Sequence, residues 1–415
     1  MTDDLDRALD LDRALRGTLA TVAREAPDVA PGLLGQVEEG YRRRRRRRAS
    51  AAALAVAVIV GATGAGGLLA RSGERPPDVA KPGKLTPVSL TGLGRPVKVS
   101  ERWPDAVRSV PERLPSGRAL HPITMLDDGT LLASTTSSFE VTDKLWAYDL
   151  KAHKATVVTD VVVPGHSKIY ASDFTVGDGR VVWWLSYEKG GITTVEIWGA
   201  PVTGGAAHKI AGMPGSDLSR LLIDGGNVVW SMGSGTYKAS LSGGSPERLP
   251  GTEGFTIISW PWIGSGASGE KVGDVRYRLL RNVQTGERRK AVLAPVKGIW
   301  ACAVTWCVSG PAPGVVYHGD MYTAVQRRDG TAGRSLPYND FMEGVLYDRF
   351  LPYQPSGLKS RNHLLYDLKT GKLLDTGVRK DDHGMAPGPR RDARDPLIFL
   401  SGKDGMKLID LSRIR

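Results

Sequence analysis

A single unit recurs along most of this 415-residue chain, and its spacing limits the folds open to it. Each copy is a short apolar run, a polar turn and a second run: WAYDLKAHKATVV, IWGAPVTGGAAHKI, TYKASLSGGSPERL, LLRNVQTGERRKAV, YTAVQRRDGTAGRSL, LLYDLKTGKLLDTG and MKLIDLSRIR. With Asp149, Val202, Leu241, Val283, Gln326, Asp367 and Asp410 as markers, the steps are 53, 39, 42, 43, 41 and 43 residues. Four short strands fill such a period, which is the length of a propeller blade. The main rival, a pair of β-sandwiches, would not need one period held over seven copies. The expected fold is therefore all-β, a β-propeller of about seven blades; the loose markers and the long first step also accommodate six or eight.

Most of these hairpins follow another apolar run, namely RVVWWLSY, NVVWSM, TWCVSG, EGVLYDRF and PLIFLSG. These are expected to be second strands that carry Trp and Tyr into the contacts between blades. The last hairpin, LIDLSRIR, ends where its outer partner should begin. The run near RPVKVSERW is expected to supply that strand and leave no open sheet edge.

The amino-terminal region has a different character. Residues 49–70 carry no charge and, as a helix, would be about 33 Å long, enough to cross a hydrocarbon core of about 30 Å. Arg42, Arg43, Arg44, Arg45, Arg46, Arg47 and Arg48 stand directly before them. Such a cluster stays on the cytoplasmic side, which puts the C-terminal region outside. A cleavable signal rarely has so long a leader, and no clean A-x-A site follows. Twin-arginine export wants a large apolar residue after the arginines, where RRASAAAL offers Ala and Ser. A nucleic-acid arm explains the arginines but not the apolar run behind them. Ala57, Gly61 and Ala65 form a small-residue row that permits helix pairing.

Ahead of the arginines, Leu5, Leu9, Leu15, Leu19 and Val22 fall on one face of an amphipathic helix that stops before Pro27. That stripe needs a protein partner, a second copy or a membrane surface. A cytoplasmic regulator is one such partner. The zinc-bearing anti-sigma type is excluded here, because the first His is His121 and the first Cys is Cys302. The expected organisation is a cytoplasmic helical segment (1–41), the arginine run (42–48), a transmembrane helix (49–70), a Pro/Gly-rich linker (71–84) and an extracytoplasmic propeller (85–415). The net charge is +12, and residues 71–415 hold 45 basic and 35 acidic residues, a net of +10. Such a surface suits anionic lipids or wall polymers without naming a partner, and no specific nucleic-acid binding is expected.

With its Arg run, Ala-rich span, YDLKTGKLL hairpin and WCVSG strand, the chain resembles TolB-like or WD40-like propellers carried by single-pass actinobacterial membrane proteins. The resemblance implies a membrane-anchored ectodomain in the cell envelope. The Gly-His and Trp-Asp dipeptides of WD40 repeats do not recur here.

Catalytic signatures are absent from the sequence. DLKTGKLLD has Asp375 where a quinoprotein repeat has Trp, and no G-x-S-x-G or H-E-x-x-H occurs. A binding role is favoured over an enzyme of the lactonase, lyase or sugar-oxidising type, and no cofactor or metal is expected. Trp260 and Trp262 in ISWPWIG are a candidate binding surface; His318 and Asp320, with Asp381, Asp382 and His383, are candidates for a channel-mouth pocket. Cys302 and Cys307 are too sparse for a zinc site. Outside the cytoplasm they are expected to form a short disulfide across a turn, and inside it to remain buried thiols.

Overall fold

A computed structural model describes residues 83–138, 141–161, 170–215, 218–266, 273–296, 298–311, 322–339, 344–379, 395–402 and 405–415. The helical segment, the arginine run and residues 49–70 lie outside the described residues, as do His318, Asp320, Asp381, Asp382 and His383. Among the described residues, no helix is long and apolar enough to cross a membrane.

The chain is a β-propeller. Its described residues form seven sheets, six of them with four or more strands and the last with three. The first sheet is a meander of His121–Met125, Thr130–Ser138, Val141–Asp149 and Lys154–Asp160. The second repeats it with Tyr170–Gly177, Arg180–Lys189, Ile192–Pro201 and His208–Pro214. The third runs from Arg220–Asp224 to Glu247–Arg248, and the fourth from Phe255–Ser259 to Arg288–Lys290. The fifth contains Ile299–Cys302, Trp306–Gly310, Tyr322–Arg327 and Arg334–Pro337. The sixth contains Phe350–Pro352, Asn362–Asp367 and Leu373–Arg379, and the seventh Leu397–Gly402 and Gly405–Asp410.

Alternation along the second strands explains how sheets become a ring. Neighbouring residues on a strand face opposite ways, so an apolar run without polar breaks serves a strand covered on both faces. In RVVWWLSY, Val181, Trp183 and Leu185 pack toward the first sheet, among Ile123, Leu132 and Leu145. Val182 and Trp184 pack toward the third, with Val228, Trp230 and Met232. Seven apolar clusters follow this pattern, each between successive sheets, and one joins the seventh sheet to the first through Leu397, Leu408, Leu131 and Tyr148.

The hairpin turns share a local cause. Asp149 Oδ1 accepts from the N–H groups of Lys151 and Ala152, both at 2.8 Å. Asn282 Oδ1 does the same for Gln284 and Thr285, and Asp367 Oδ1 for Lys369. A short polar side chain that bonds the backbone two residues on sets such turns. Four residues after Asn282 and Asp367 stand Gly286 (φ 75°) and Gly371 (φ 74°), in the left-handed region that glycine enters without a Cβ clash. Four residues after Asp149 the chain carries His153 at φ 53°. Its side chain must tolerate what the glycines avoid.

Closure differs from the sequence expectation. The missing outer strand of the seventh sheet is Val107–Val110, antiparallel to Gly405–Asp410, with Met406 opposite Val110 and Ile409 opposite Val107. RPVKVSERW instead contributes Val97–Lys98, paired in parallel with Leu373–Arg379 of the sixth sheet, and a helical turn, Val99–Arg102, whose Val99 is fully buried. Thr86–Pro87 likewise lies parallel to Arg334–Pro337 of the fifth. The segment before Val110 thus straps three consecutive sheets. EGVLYDRF is also corrected, since Tyr347–Arg349 form a turn and the strand begins at Phe350. Arg108 and Arg413 both pair with Asp128 of the first sheet, a surface contact worth about 1 kcal/mol or less.

Two outcomes follow. Val110→Asp would place a charge in the cluster that closes the ring and is expected to lower unfolding free energy by about 3 kcal/mol in urea melts, while Ser109→Asp on the exposed face changes it little. His153→Gly relieves the left-handed strain and is expected to raise stability by about 1 kcal/mol in the same assay.

Candidate functional site

The described residues enclose a basic cleft of about 410 Å³ where the fourth sheet meets the fifth. Arg289 and Lys290 come from the outer strand of the fourth sheet, and Val304 and Thr305 from the first turn of the fifth. Arg327 ends the third strand of the fifth sheet, and Arg328 and Asp329 open the hairpin turn that follows it. In a meander, the first and third turns lie at the same end of the sheet, which is how residues over twenty positions apart line one wall.

Arg328 holds the wall together. It is 4% exposed, and its N–H groups go to backbone carbonyls: Nε to Ala303 O at 3.1 Å, Nη1 to Tyr277 O at 2.9 Å and Arg278 O at 3.2 Å, and Nη2 to Ala303 O. One guanidinium therefore joins a connecting segment of the fourth sheet to the first turn of the fifth. Burial lowers it to about 10, with the Asp348 carboxylate opposing and the Arg289 charge adding to the fall. Burial pushes the Asp348 carboxyl up, against the hydrogen bond that its Oδ1 accepts from Thr305 N–H at 2.9 Å.

Cys302 and Cys307 face each other across this turn and are joined, with Cα atoms 3.9 Å apart. The expected disulfide spans the strand-to-strand turn that carries Val304 and Thr305. On the loop-entropy view so small a loop contributes about 2 kcal/mol.

Two guanidiniums at the cleft lie near indole rings. Arg289 sits 4.3 Å from the Trp262 centroid and donates to Glu287 at 2.7 Å; Arg327 is 5.7 Å from that of Trp306. A guanidinium over a ring keeps N–H edges for other acceptors. Lys290 and Arg327 form no ion pair among the described residues. Asp329 accepts from Thr331 N–H and Oγ1–H, and these bonds hold its carboxyl below the usual range.

The structure separates the aromatic candidates. Trp260 is 7% exposed and belongs to the core between the third and fourth sheets, beside Leu222, Val229, Ile257 and Ile263. As a binding-surface residue it is corrected: Ser259 pairs with Trp262, so Trp260 and cis-Pro261 form a two-residue turn, and the indole folds back into the core. Trp262 is half-buried beneath Arg289. The cleft was missed as a site in the sequence, although its signal is visible in GERRKA and QRRDG, arginine pairs in consecutive hairpins. A second cleft, about 420 Å³, lies among Arg102, Trp103, Asp105, Arg413 and Arg415, where the strap meets the C-terminal turn.

No family description and no curated protein matches this chain. Among solved structures, it is similar to the β-propeller domain of the trilobed protease from Pyrococcus furiosus, at 10% identity and TM-score 0.40, over 70% of this chain and 95% of that one. It is also similar to oligogalacturonate lyase from Vibrio parahaemolyticus, at 12% identity and TM-score 0.39, over 62% and 76% of the two chains. A computationally designed protein, Ika8, matches at 14% identity and TM-score 0.35, over 73% and 98%. Superposition at these scores is loose, and the propeller assignment rests on the chain's own strand pairing.

Replacing Arg328 with Met strips buried carbonyls of their donors at near-constant volume. It is expected to cost about 3 kcal/mol in chemical unfolding, against less than about 0.5 kcal/mol for Arg327→Met, the exposed neighbour that ends the preceding strand.

Proposed function

We propose that this chain is a membrane-tethered binding ring, held outside the cytoplasm by a single amino-terminal span and used for recognition rather than catalysis. One observation carries the reading: seven arginines and an uncharged stretch of 22 residues precede the strap that closes the propeller. A basic cluster beside a span of that length fixes its orientation with the cluster inside. The joined cysteines suit an oxidising compartment, which supports placing the ring outside.

Recognition in this reading uses turns on a rigid ring, which can vary without disturbing the sheets beneath them. The ligand is an envelope protein or polymer, and the net charge of +10 beyond residue 70 favours an anionic one. Residues 1–41 would present their apolar stripe to a cytoplasmic regulator, so that occupancy outside biases a partner inside.

Protease treatment of intact cells tests the topology. A C-terminal tag is expected to be removed while an amino-terminal tag is spared; the reverse pattern would sink the reading. In-cell cross-linking through the amino-terminal tag then tests the signalling part, where a cytoplasmic partner is expected to disappear when residues 2–26 are deleted.

A further inference from the structure

We propose that the cleft between the fourth and fifth sheets is a phosphate-binding site, taking a phosphomonoester. This rests on the reading of the ring as a binding module and assigns its ligand chemistry. The walls bring four cationic side chains, Arg289, Lys290, Arg327 and Arg328, against the single lining carboxylate of Asp329. Two of the cations have other duties: Arg328 spends its N–H groups on carbonyls and Arg289 pairs with Glu287. Lys290 and Arg327, one from each sheet, form no ion pair among the described residues and keep N–H groups for a ligand, although the Arg327 charge also acts on the Asp329 carboxyl.

Two cations suit phosphate better than carboxylate. A phosphate monoester brings close to two negative charges and three acceptor oxygens, whereas a carboxylate brings one charge and two. A guanidinium engages such oxygens in pairs, and an ammonium adds a point charge with freely rotating donors. The volume of about 410 Å³ is that of a small-molecule site and leaves room for the group that carries the phosphate.

The site is also built in advance. The disulfide of Cys302 and Cys307, the Arg328 guanidinium and the Asp348 carboxylate all grip the turn at residues 303–306. Trp262 and Trp306 back the two outer guanidiniums. A cleft whose walls are already fixed loses less freedom when an anion enters. An anion there would also ease the repulsion that Arg289 exerts on buried Arg328.

The test uses the purified full chain in detergent, with calorimetric titration of glycerol 3-phosphate, tripolyphosphate and galacturonate at two salt concentrations. Both phosphates are expected to bind and galacturonate to bind at least tenfold more weakly. Lys290→Gln with Arg327→Gln should cut phosphate affinity at least tenfold without moving the melting temperature, because both side chains are exposed. Lys151→Gln, on a hairpin of the first sheet, should leave affinity unchanged. No phosphate binding at millimolar concentration, equal binding of galacturonate, or equal losses in Lys151→Gln and the double variant would each overturn the assignment. Binding in detergent does not depend on which side of a membrane the ring occupies, so this result and the protease result can fail separately.

Discussion

A ring of sheets made from one chain has to be joined where its two ends meet, and a strand supplied to the last sheet from the other end of the chain does this by backbone pairing. Here, among the described residues, the seventh sheet holds Leu397–Gly402 and Gly405–Asp410 from the C-terminal side, and Val107–Val110 joins it from the other end. Both faces of that sheet depend on the pairing. Leu408 and Val110 pack against the first sheet, while Ile409 and Leu411 pack against the sixth. Unpairing the strand would expose two of the clusters between sheets at once, which makes closure a cooperative event.

The strap extends that logic outward. Thr86–Pro87 and Val97–Lys98 cover the outer edges of the fifth and sixth sheets before Val107–Val110 completes the seventh. Parallel addition of two residues contributes few hydrogen bonds, so these contacts hold mainly through the apolar groups beside them, Leu93 with Tyr353 and Leu364, and Val99 with Ile398. Tension arriving from the amino-terminal side would meet the fifth sheet first and the closing strand last.

Much of this fold was readable in the sequence, for physical reasons that also mark the limits. A period near 42 residues and turn residues such as Asp149, Asn282 and Asp367 report local hydrogen bonding, which is repeated wherever the repeat is. Uninterrupted runs such as RVVWWLSY report burial on both faces. The strap is not legible because a two-residue parallel strand has no period, and Val97 and Val99 look as strand-like as Val107 and Val110. Trp260 reads as exposed because a turn ordinarily faces solvent, whereas this turn has two residues and its indole packs inward. The cleft was hidden differently: its arginines sit in two hairpins 38 residues apart, from Arg289 to Arg327, and only the packing of neighbouring sheets brings them together.

Closure by the Val107–Val110 strand is the claim on which both the ring and its clefts depend, and hydrogen exchange followed peptide by peptide on the intact chain tests it most directly. The amides of 107–110 that bond the 405–410 strand, every second one in an antiparallel edge strand, are expected to exchange as slowly as their partners, since each would open only when the whole ring unfolds. Rapid exchange of every amide in 107–110 while 405–410 stays protected would contradict the account, because the ring would then hold its shape without the strand assigned to seal it.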